Sequence, residues 1–324
     1  MPIHPADPAH IARAAQLLRD GEIVAFPTET VYGLGGNALN PEAIAKIYAA
    51  KGRPSHNPLI VHVADIAAAK TLVIHWPESA ELAAQHFWPG PLTLVLPRAG
   101  ALADNLSAGL PTVAIRVPAH PVALELLRAA GVPVAAPSAN RSTEVSPSRP
   151  EHVIQSLGED TFVLNGGPCE VGIESTVLDL TGPRPVILRP GRLLTADLEP
   201  VVGPLDQMNS EPVGDAPRTS PGQLDRHYAP KAAVQLFLNL TDAIFHVTLH
   251  GQGRRVGVIA CHPTPLGNQE ILLSEEPREY ARELYAALRR LDDAGCDLIL
   301  IEQVPEVPEW DAIRDRLRRA STPA

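Results

Sequence analysis

Residues 112–138, TVAIRVPAHPVALELLRAAGVPVAAPS, contain a complete strand, helix and strand. Polar or small residues alternate with branched apolar residues over 112–117, which predicts a strand with two different faces. Positions 122–130 show helical apolar spacing, and 132–138 predict a second strand. Outward from this unit, the spacing predicts helices at 8–20, 40–52, 66–73, 78–87 and 151–157, and strands at 22–26, 59–63, 92–96, 161–164, 175–180 and 186–188. Residues 1–203 therefore predict an α/β domain of the α+β type with a mixed sheet.

Residues 27–37, PTETVYGLGGN, interrupt this pattern with three glycines and several polar residues. Glycine-rich polar stretches between strands and helices are typical of turns, so this segment is predicted to be a turn-like loop.

The pattern dissolves again between 204 and 230, where five prolines and few apolar residues occur. From 231 onward, strands and helices alternate in the order βαβαβα, which predicts a small parallel sheet. A chain of 324 residues exceeds the size at which a single core stops growing. We therefore predict a first domain at 1–203, a proline-rich linker at 204–230 and a smaller domain at 231–324.

Composition excludes several classes of function. The net charge of −10 argues against binding nucleic acid or an anionic membrane over a broad surface, so a phosphate ligand needs a local basic pocket. The three cysteines are far apart and fit a reducing compartment better than a disulfide framework. The first residues lack a signal-peptide pattern, and no run of 18 apolar residues occurs. The sequence predicts a soluble, cytoplasmic protein.

Common nucleotide and hydrolase motifs are absent. The chain has no G-x-x-x-x-G-K-[ST], no G-x-S-x-G and no H-E-x-x-H. GLGGNA at 33–38 fits a dinucleotide-binding turn loosely, but the acidic residue expected about 20 positions later is missing.

Polar residues inside the predicted strands are more informative. Thr112 and Arg116 share one strand face, while His62 and Ser138 lie on strands nearby. An arginine at a strand centre needs an anion, supplied either by an internal carboxylate or by a ligand. For His62 alone, a core histidine that has its hydrogen bonds satisfied is the commoner explanation, ahead of a ligand contact. Together these side chains suit a ligand that carries a carboxylate and a phosphate.

Further cations lie at the predicted rim of this face. Lys51 and Arg53 follow a helix in the loop KGRP, and Arg189 ends a strand. A solvated helix end and a surface strand end explain these residues equally well. The pattern alone thus indicates a site for an anionic small molecule, without a reaction.

Eight motifs, in order, resemble those of the YrdC-type threonylcarbamoyl-AMP synthases in their longer two-domain form. They are PTETVYGLG at 27–35, KGRP at 51–54 continuing to PL at 58–59, WPGPLT at 88–93, TVAIRVP at 112–118, APSAN at 136–140, GIESTVLD at 172–179, LRPG at 188–191 and SPGQLDRHYAP at 220–230. The resemblance implies a YrdC-like twisted mixed sheet with helices, followed by a smaller Rossmann-like parallel α/β domain.

Carried over by position, the resemblance implies two groups of site residues. The L-threonine pocket would consist of Thr30, His62, Arg116, Ala136 and Ser175. The ATP site would consist of Lys51, Arg53, Asn57, Thr112, Ser138, Ser146, Arg189 and Tyr228. Because Tyr228 lies in the linker, the linker would act as a lid over the active site. No metal ligand from the protein is implied.

The reaction implied is the condensation of L-threonine, bicarbonate and ATP to threonylcarbamoyl-adenylate and pyrophosphate, with Mg²⁺ accompanying ATP. The product would supply a downstream threonylcarbamoyl transferase complex that modifies the adenosine next to the anticodon of certain tRNAs. Direct tRNA binding would be weak or indirect, and no membrane would be involved.

Two alternatives stay open at this point. An RNA-binding module of the same fold is one, although both halves of the chain carry excess acid: 19 acidic against 14 basic residues over 1–203, and 14 against 11 over 231–324. The second is carbamoyl transfer, as in the related domain of hydrogenase-maturation proteins. Those proteins carry zinc-finger modules, and this chain has no C-x-x-C spacing.

Overall fold

A computed structural model describes residues 2–206, 226–266 and 269–322. Within these residues the chain forms two compact units. The first unit contains residues 2–142, 147–170 and 174–206, and the second contains 143–146, 171–173, 226–266 and 269–322. Two short segments of the predicted first domain, 143–146 and 171–173, thus belong to the second unit. Most of the predicted linker, 207–225, lies outside the described residues, so of the predicted lid only 204–206 and 226–230 are described.

The first unit has seven α-helices among its described residues. They are α1 (Pro8–Arg19), α2 (Pro41–Lys51), α3 (Ile66–Lys70), α4 (Glu78–Phe87), α5 (Pro121–Ala130), α6 (Pro150–Leu157) and α7 (Thr195–Val202). The predicted helices are confirmed to within a few residues, and α7 was not predicted. A short 3-10 helix adds Asp104–Leu106.

Ten strands form one sheet in this unit. They are β1 (Ile3–Pro5), β2 (Val24–Phe26), β3 (Gly33–Asn37), β4 (Ile60–His62), β5 (Leu92–Pro97), β6 (Thr112–Arg116), β7 (Val134–Ala135), β8 (Val163–Asn165), β9 (Thr176–Asp179) and β10 (Val186–Arg189). Their order is β1-β8-β2-β3-β7-β4-β6-β5-β9-β10. The sheet contains both parallel pairs, such as β4 with β6, and antiparallel pairs, such as β5 with β6, which confirms the mixed sheet.

The prediction of a turn-like loop over 27–37 is wrong for its second half. Residues Gly33–Asn37 form the buried strand β3, which pairs antiparallel with β2. The glycines are needed for space, since a Cβ on Gly35 would lie 2.8 Å from both the Phe26 ring and Val134. Glycine has a low strand propensity, so pattern reading assigned this strand to a turn.

Helix boundaries follow the local chemistry of the sequence. Asp7 caps α1 by accepting a hydrogen bond from the backbone N–H of His10, and Asn40 caps α2 in the same way at Glu42 and Ala43. Both helices have proline in the first turn, where no backbone donor is lost. Gly52 ends α2 in a left-handed conformation, φ 57°.

The sheet of the first unit has a large apolar cluster on one face and a small one on the other. Val61, Leu94 and Ile115 belong to the main apolar core on one face. The alternate residues Ile60, Val95, Ala114, Val177 and Leu188 form a small cluster on the other. A strand residue two positions from a member of this cluster lies on the same face, so His62 shares the face of Ile60, and Thr112 and Arg116 share the face of Ala114.

The second unit has a separate parallel sheet, as predicted, with four strands where three were predicted. Its strands are β11 (Ala233–Phe237), β12 (Val256–Ala260), β13 (Gln269–Leu272) and β14 (Leu298–Glu302), in the order β11-β14-β12-β13. Its helices are α8 (Leu240–His250), α9 (Pro277–Asp293) and α10 (Asp311–Ser321). Strand β13 was not predicted. Among the described residues, no helix is long and apolar enough to cross a membrane.

Candidate active site

Arg116 is the centre of the site in the first unit. It ends β6, is 3% exposed, and lies opposite His62 of β4 in the parallel register. Its Nε donates to the carbonyl oxygen of Gly90 at 3.1 Å, and one terminal nitrogen donates to the Thr30 hydroxyl at 2.9 Å. The other terminal nitrogen donates to the Glu29 carboxylate at 2.5 Å. The anion that a strand-centre arginine requires is thus an internal one.

The hydroxyl of Thr30 has a defined hydrogen-bond direction. Thr28 Oγ1 donates to the carbonyl oxygen of Val31 at 2.6 Å, so its single proton is used there. Thr28 Oγ1 also accepts from the backbone N–H groups of Thr30 and Val31, both at 3.2 Å. We assign the shorter 2.8 Å contact between the two threonine hydroxyls to Thr30 as the donor. Since Arg116 donates to Thr30, the Thr30 oxygen can only accept from a further group.

His62 is a neutral imidazole inside the sheet. It is 3% exposed, and burial together with the positive charge of Arg116 lowers its pKa to about 3. Among the residues that the structure describes, its Nδ1 has no hydrogen-bond partner. A buried nitrogen without a partner is costly, which makes it a candidate for a ligand contact.

Ser175 connects two of the predicted groups. It lies just before β9 and is fully buried. The Arg189 guanidinium donates to its carbonyl oxygen at 3.0 and 3.1 Å and to its hydroxyl at 3.1 Å. Thr93 of β5 shares a 2.8 Å hydrogen bond with the same hydroxyl. The predicted threonine contact and the predicted nucleotide contact are therefore in direct contact with each other.

Lys51 holds the loop that follows β7. This residue, at the C-terminal end of α2, is 2% exposed. Its ammonium group donates to the carbonyl oxygens of Ser138 at 2.6 Å and Asn140 at 2.5 Å. The same loop bridges to β3 through Gly33 and Ser138. The interpretation of Lys51 as a solvated helix end is wrong, because the side chain is buried.

Arg53 organises the loop between α2 and β4. It is 8% exposed and donates to the carbonyl oxygens of Asn57 at 3.1 Å and Pro58 at 2.9 Å. The Asn57 side chain is completely buried, and neither its oxygen nor its nitrogen has a partner among the described residues. An amide with both ends unused is a candidate for recognition of a polar ligand.

The remaining predicted residues of this unit lie beside the same strands. Ala136 donates its backbone N–H to the carbonyl oxygen of Ile60 at 2.9 Å, which places it next to β4. Thr112 begins β6, the strand that Arg116 ends. Arg189 ends β10 and is 5% exposed, so its interpretation as a surface strand end is wrong.

Two predicted ATP contacts, Ser146 and Tyr228, belong to the second unit. Ser146 is fully buried. The Tyr228 ring, 1% exposed, lies 5.8 Å from the ring of Tyr285 and 5.1 Å from the Arg316 guanidinium carbon. Their roles stay predictions.

Sequence reasoning missed Glu29, Thr28 and Thr93. All three lie inside quoted motifs, PTETVYGLG and WPGPLT, so the signal was present. Glu29 was passed over because its partner Arg116 is 87 residues further along the chain. Only the tertiary structure brings the two together.

The donor set of the site suits anions better than metal ions. Within the described ranges, no group of three or more His, Cys, Asp or Glu side chains comes together to hold a metal ion. Lysine and arginine cations, hydroxyls and an amide predominate, and these recognise carboxylates and phosphates.

The fold and the site define a two-unit α/β protein with a buried, arginine-centred site for an anionic small molecule. A family profile described as Telomere recombination matches residues 16–191, and one described as Threonylcarbamoyl-AMP synthase, C-terminal domain, matches residues 194–322. The chain belongs to the threonylcarbamoyl-AMP synthase family.

Individual relatives agree with this assignment. The chain is 44% identical to the threonylcarbamoyl-AMP synthase of Bacillus subtilis, over 96% of this chain and 92% of the relative. It is 42% identical to that of Pyrococcus abyssi, over 95% and 93%. The crystal structure of P. abyssi Sua5 complexed with L-threonine superposes with a TM-score of 0.91 at 40% identity, covering 98% of this chain and 97% of that one.

Proposed function

We propose that this chain condenses L-threonine, bicarbonate and ATP to L-threonylcarbamoyladenylate, pyrophosphate and water. The observation that carries the proposal is the buried group of Arg116, Thr30 and His62 in a chain of the threonylcarbamoyl-AMP synthase family. A relative of 40% identity was crystallised with L-threonine.

The threonine end of the reaction is assigned to the residues around Arg116. Three of the five guanidinium N–H groups are used internally, by Gly90, Thr30 and Glu29, which leaves two for the carboxylate of the amino acid. Ser175 and the backbone at Ala136 complete the pocket. The neutral His62 offers a nitrogen without adding charge beside Arg116.

The nucleotide end is assigned to the cations and hydroxyls of the same unit. Lys51, Arg53 and Arg189 are buried to at least nine tenths, so their charges are weakly screened by water. Asn57, Thr112 and Ser138 supply polar groups. Ser146 and Tyr228 of the second unit are proposed as further ATP contacts.

The bond changes follow from bringing these two ends together. The threonine amine adds to the carbon of bicarbonate, and loss of water gives a carbamate. A carbamate oxygen then attacks the α-phosphorus of ATP, and the bond to pyrophosphate breaks. No covalent bond to the protein forms, so the protein contributes positioning and stabilisation of the spreading negative charge. The hydrogen bond between Arg189 and Ser175 supports placing the threonine contacts and the nucleotide contacts next to each other.

Mg²⁺ is proposed to arrive with ATP rather than in a protein site. The described residues near the phosphate contacts are cations, hydroxyls and an amide, without a cluster of acidic ligands. A magnesium ion bound by phosphate oxygens and water would neutralise charge on the leaving pyrophosphate.

The product is proposed to pass to a threonylcarbamoyl transferase that modifies the adenosine next to the anticodon of tRNA. The acidic excess of both halves of the chain supports a weak or indirect contact with tRNA.

The proposal is tested by measuring pyrophosphate release from ATP. Release is expected only when L-threonine and bicarbonate are both present, with D-threonine and bicarbonate-free buffer as matched controls. Release that does not depend on threonine would contradict the proposal. Consumption of carbamoyl phosphate as the carbamoyl donor, in place of threonine and bicarbonate, would favour the alternative of carbamoyl transfer.

A further inference from the structure

Glu29 is a buried carboxylate that no step described so far uses. Its side chain is 7% exposed, and that of Arg116 is 4% exposed. Both carboxylate oxygens accept hydrogen bonds, one from Arg116 at 2.5 Å and one from the backbone N–H of Ala119 at 3.0 Å. Ala119 lies just beyond the strand that carries Arg116, so Glu29 is attached to both the side chain and the backbone of one segment.

A gain in stability is a weak explanation for such a pair. Removing two charges from water costs free energy that their attraction repays only in part, so a pair of apolar residues would serve a core equally well. The geometry is more specific than stability requires. Glu29, Gly90 and Thr30 each fix a different nitrogen of the guanidinium, which leaves the group no freedom to rotate.

Fixing Arg116 also determines what Thr30 can do. The arginine occupies one acceptor position of the Thr30 oxygen, and the Thr30 proton is donated to Thr28. The remaining lone pair can accept from an N–H or O–H of a substrate and cannot donate to a carboxylate. The two substrate ends are thereby distinguished: Arg116 donates to the carboxylate, and Thr30 accepts from the amine.

We propose that Glu29 is a positioning residue for L-threonine, which acts by holding the Arg116 guanidinium so that Thr30 faces the substrate amine as an acceptor. This inference rests on the proposed function. It adds to that function a role for Glu29, which contacts no substrate, and the orientation in which the amino acid is bound.

Glu29→Gln is the informative substitution. Both oxygens of Glu29 accept, whereas glutamine offers one oxygen and one NH₂ group. In either orientation the NH₂ group faces a donor, Arg116 or the Ala119 N–H, so one anchor is lost while volume is kept. Glu29→Asp keeps both acceptors and shortens the side chain. Replacing Arg116 itself is less useful, because it would leave Glu29 buried without its cation.

The first measurement is L-threonine binding by titration calorimetry, together with the KM values for L-threonine and ATP. For Glu29→Gln we expect about tenfold to a hundredfold weaker threonine binding, as for loss of a charged hydrogen bond, with less than about a threefold change in the KM for ATP. Glu29→Asp should recover part of the loss. An equal rise in both KM values, or unchanged threonine binding, would overturn the proposal.

A matched control separates positioning from loss of stability. Leu198→Ala removes a fully buried side chain from the main core on α7. It should lower the unfolding temperature while leaving the KM for threonine unchanged. If Leu198→Ala raises that KM as much as Glu29→Gln does at equal loss of unfolding temperature, the effect of Glu29 is structural and the proposal fails.

A double-mutant cycle tests the route through Thr30. Thr30→Val removes the acceptor and keeps the shape. If Glu29 acts through Thr30, Glu29→Gln should have a much smaller effect in the Thr30→Val background than in the wild type. Fully multiplicative effects would refute the route. A wild-type chain that neither binds L-threonine nor releases pyrophosphate would instead refute the proposed function, so the two failures are distinguishable.

Discussion

At the residue scale, His62 links the site to the pH dependence of stability. Its pKa is about 3 in the folded chain, lowered mainly by burial and further by Arg116, against about 6.5 in an unfolded chain. Below pH 6.5 the unfolded chain therefore binds a proton that the folded chain does not. The free energy of unfolding should fall as pH decreases from 6.5 toward 3, and this contribution is fully present above pH 6.5.

The prediction is measured by urea unfolding of the wild type and His62→Gln at about pH 7 and about pH 5.5. Between these pH values the wild type should lose about 1 kcal/mol more than the variant, because only the wild type carries the depressed histidine. Because the other histidines are the same in both proteins, their contributions cancel when the two changes in the free energy of unfolding are subtracted. Equal pH dependence in both would contradict a neutral, buried His62.

At the element scale, β3 shows what sequence patterns miss. Helices α1 and α2 were predictable because their caps Asp7, Asn40 and Gly52 are local signals. Strand β3 was not predictable, since glycine is required there by the close packing of Phe26 and Val134 on neighbouring strands. Helix α7 contains Pro200, which argues against a helix when read locally. The site shows the same contrast between local and distant signals. The alternation along β6 predicted that Arg116 needs an anion, whereas its partner Glu29 could be identified only from the tertiary structure.

The packing of β3 gives a prediction for Gly35→Ala. The added methyl group would lie 2.8 Å from Phe26 and Val134, so the core must shift. We expect a loss of about 1–3 kcal/mol in the free energy of unfolding, the usual range for overpacking. Gly100→Ala is the matched control, since no atom beyond its two chain neighbours lies within 4 Å of its added methyl, and it should change stability by less than about 0.5 kcal/mol. Chemical denaturation of both variants measures their free energies of unfolding. A Gly35→Ala chain as stable as the control would contradict the packing argument.

At the scale of the whole molecule, each unit has its own sheet and its own apolar core. The predicted threonine contacts all lie in the first unit. A ligand stabilises the structure that binds it, by about 2.7 kcal/mol at a hundredfold excess over its Kd. L-threonine should therefore slow amide hydrogen exchange in β4, β6 and β9 much more than in β12 and β14 of the second unit. Hydrogen exchange followed by mass spectrometry measures this segment by segment, with L-leucine as the control amino acid. Equal protection of both sheets would show that the two units open together, and protection confined to the second sheet would place the threonine site outside the first unit.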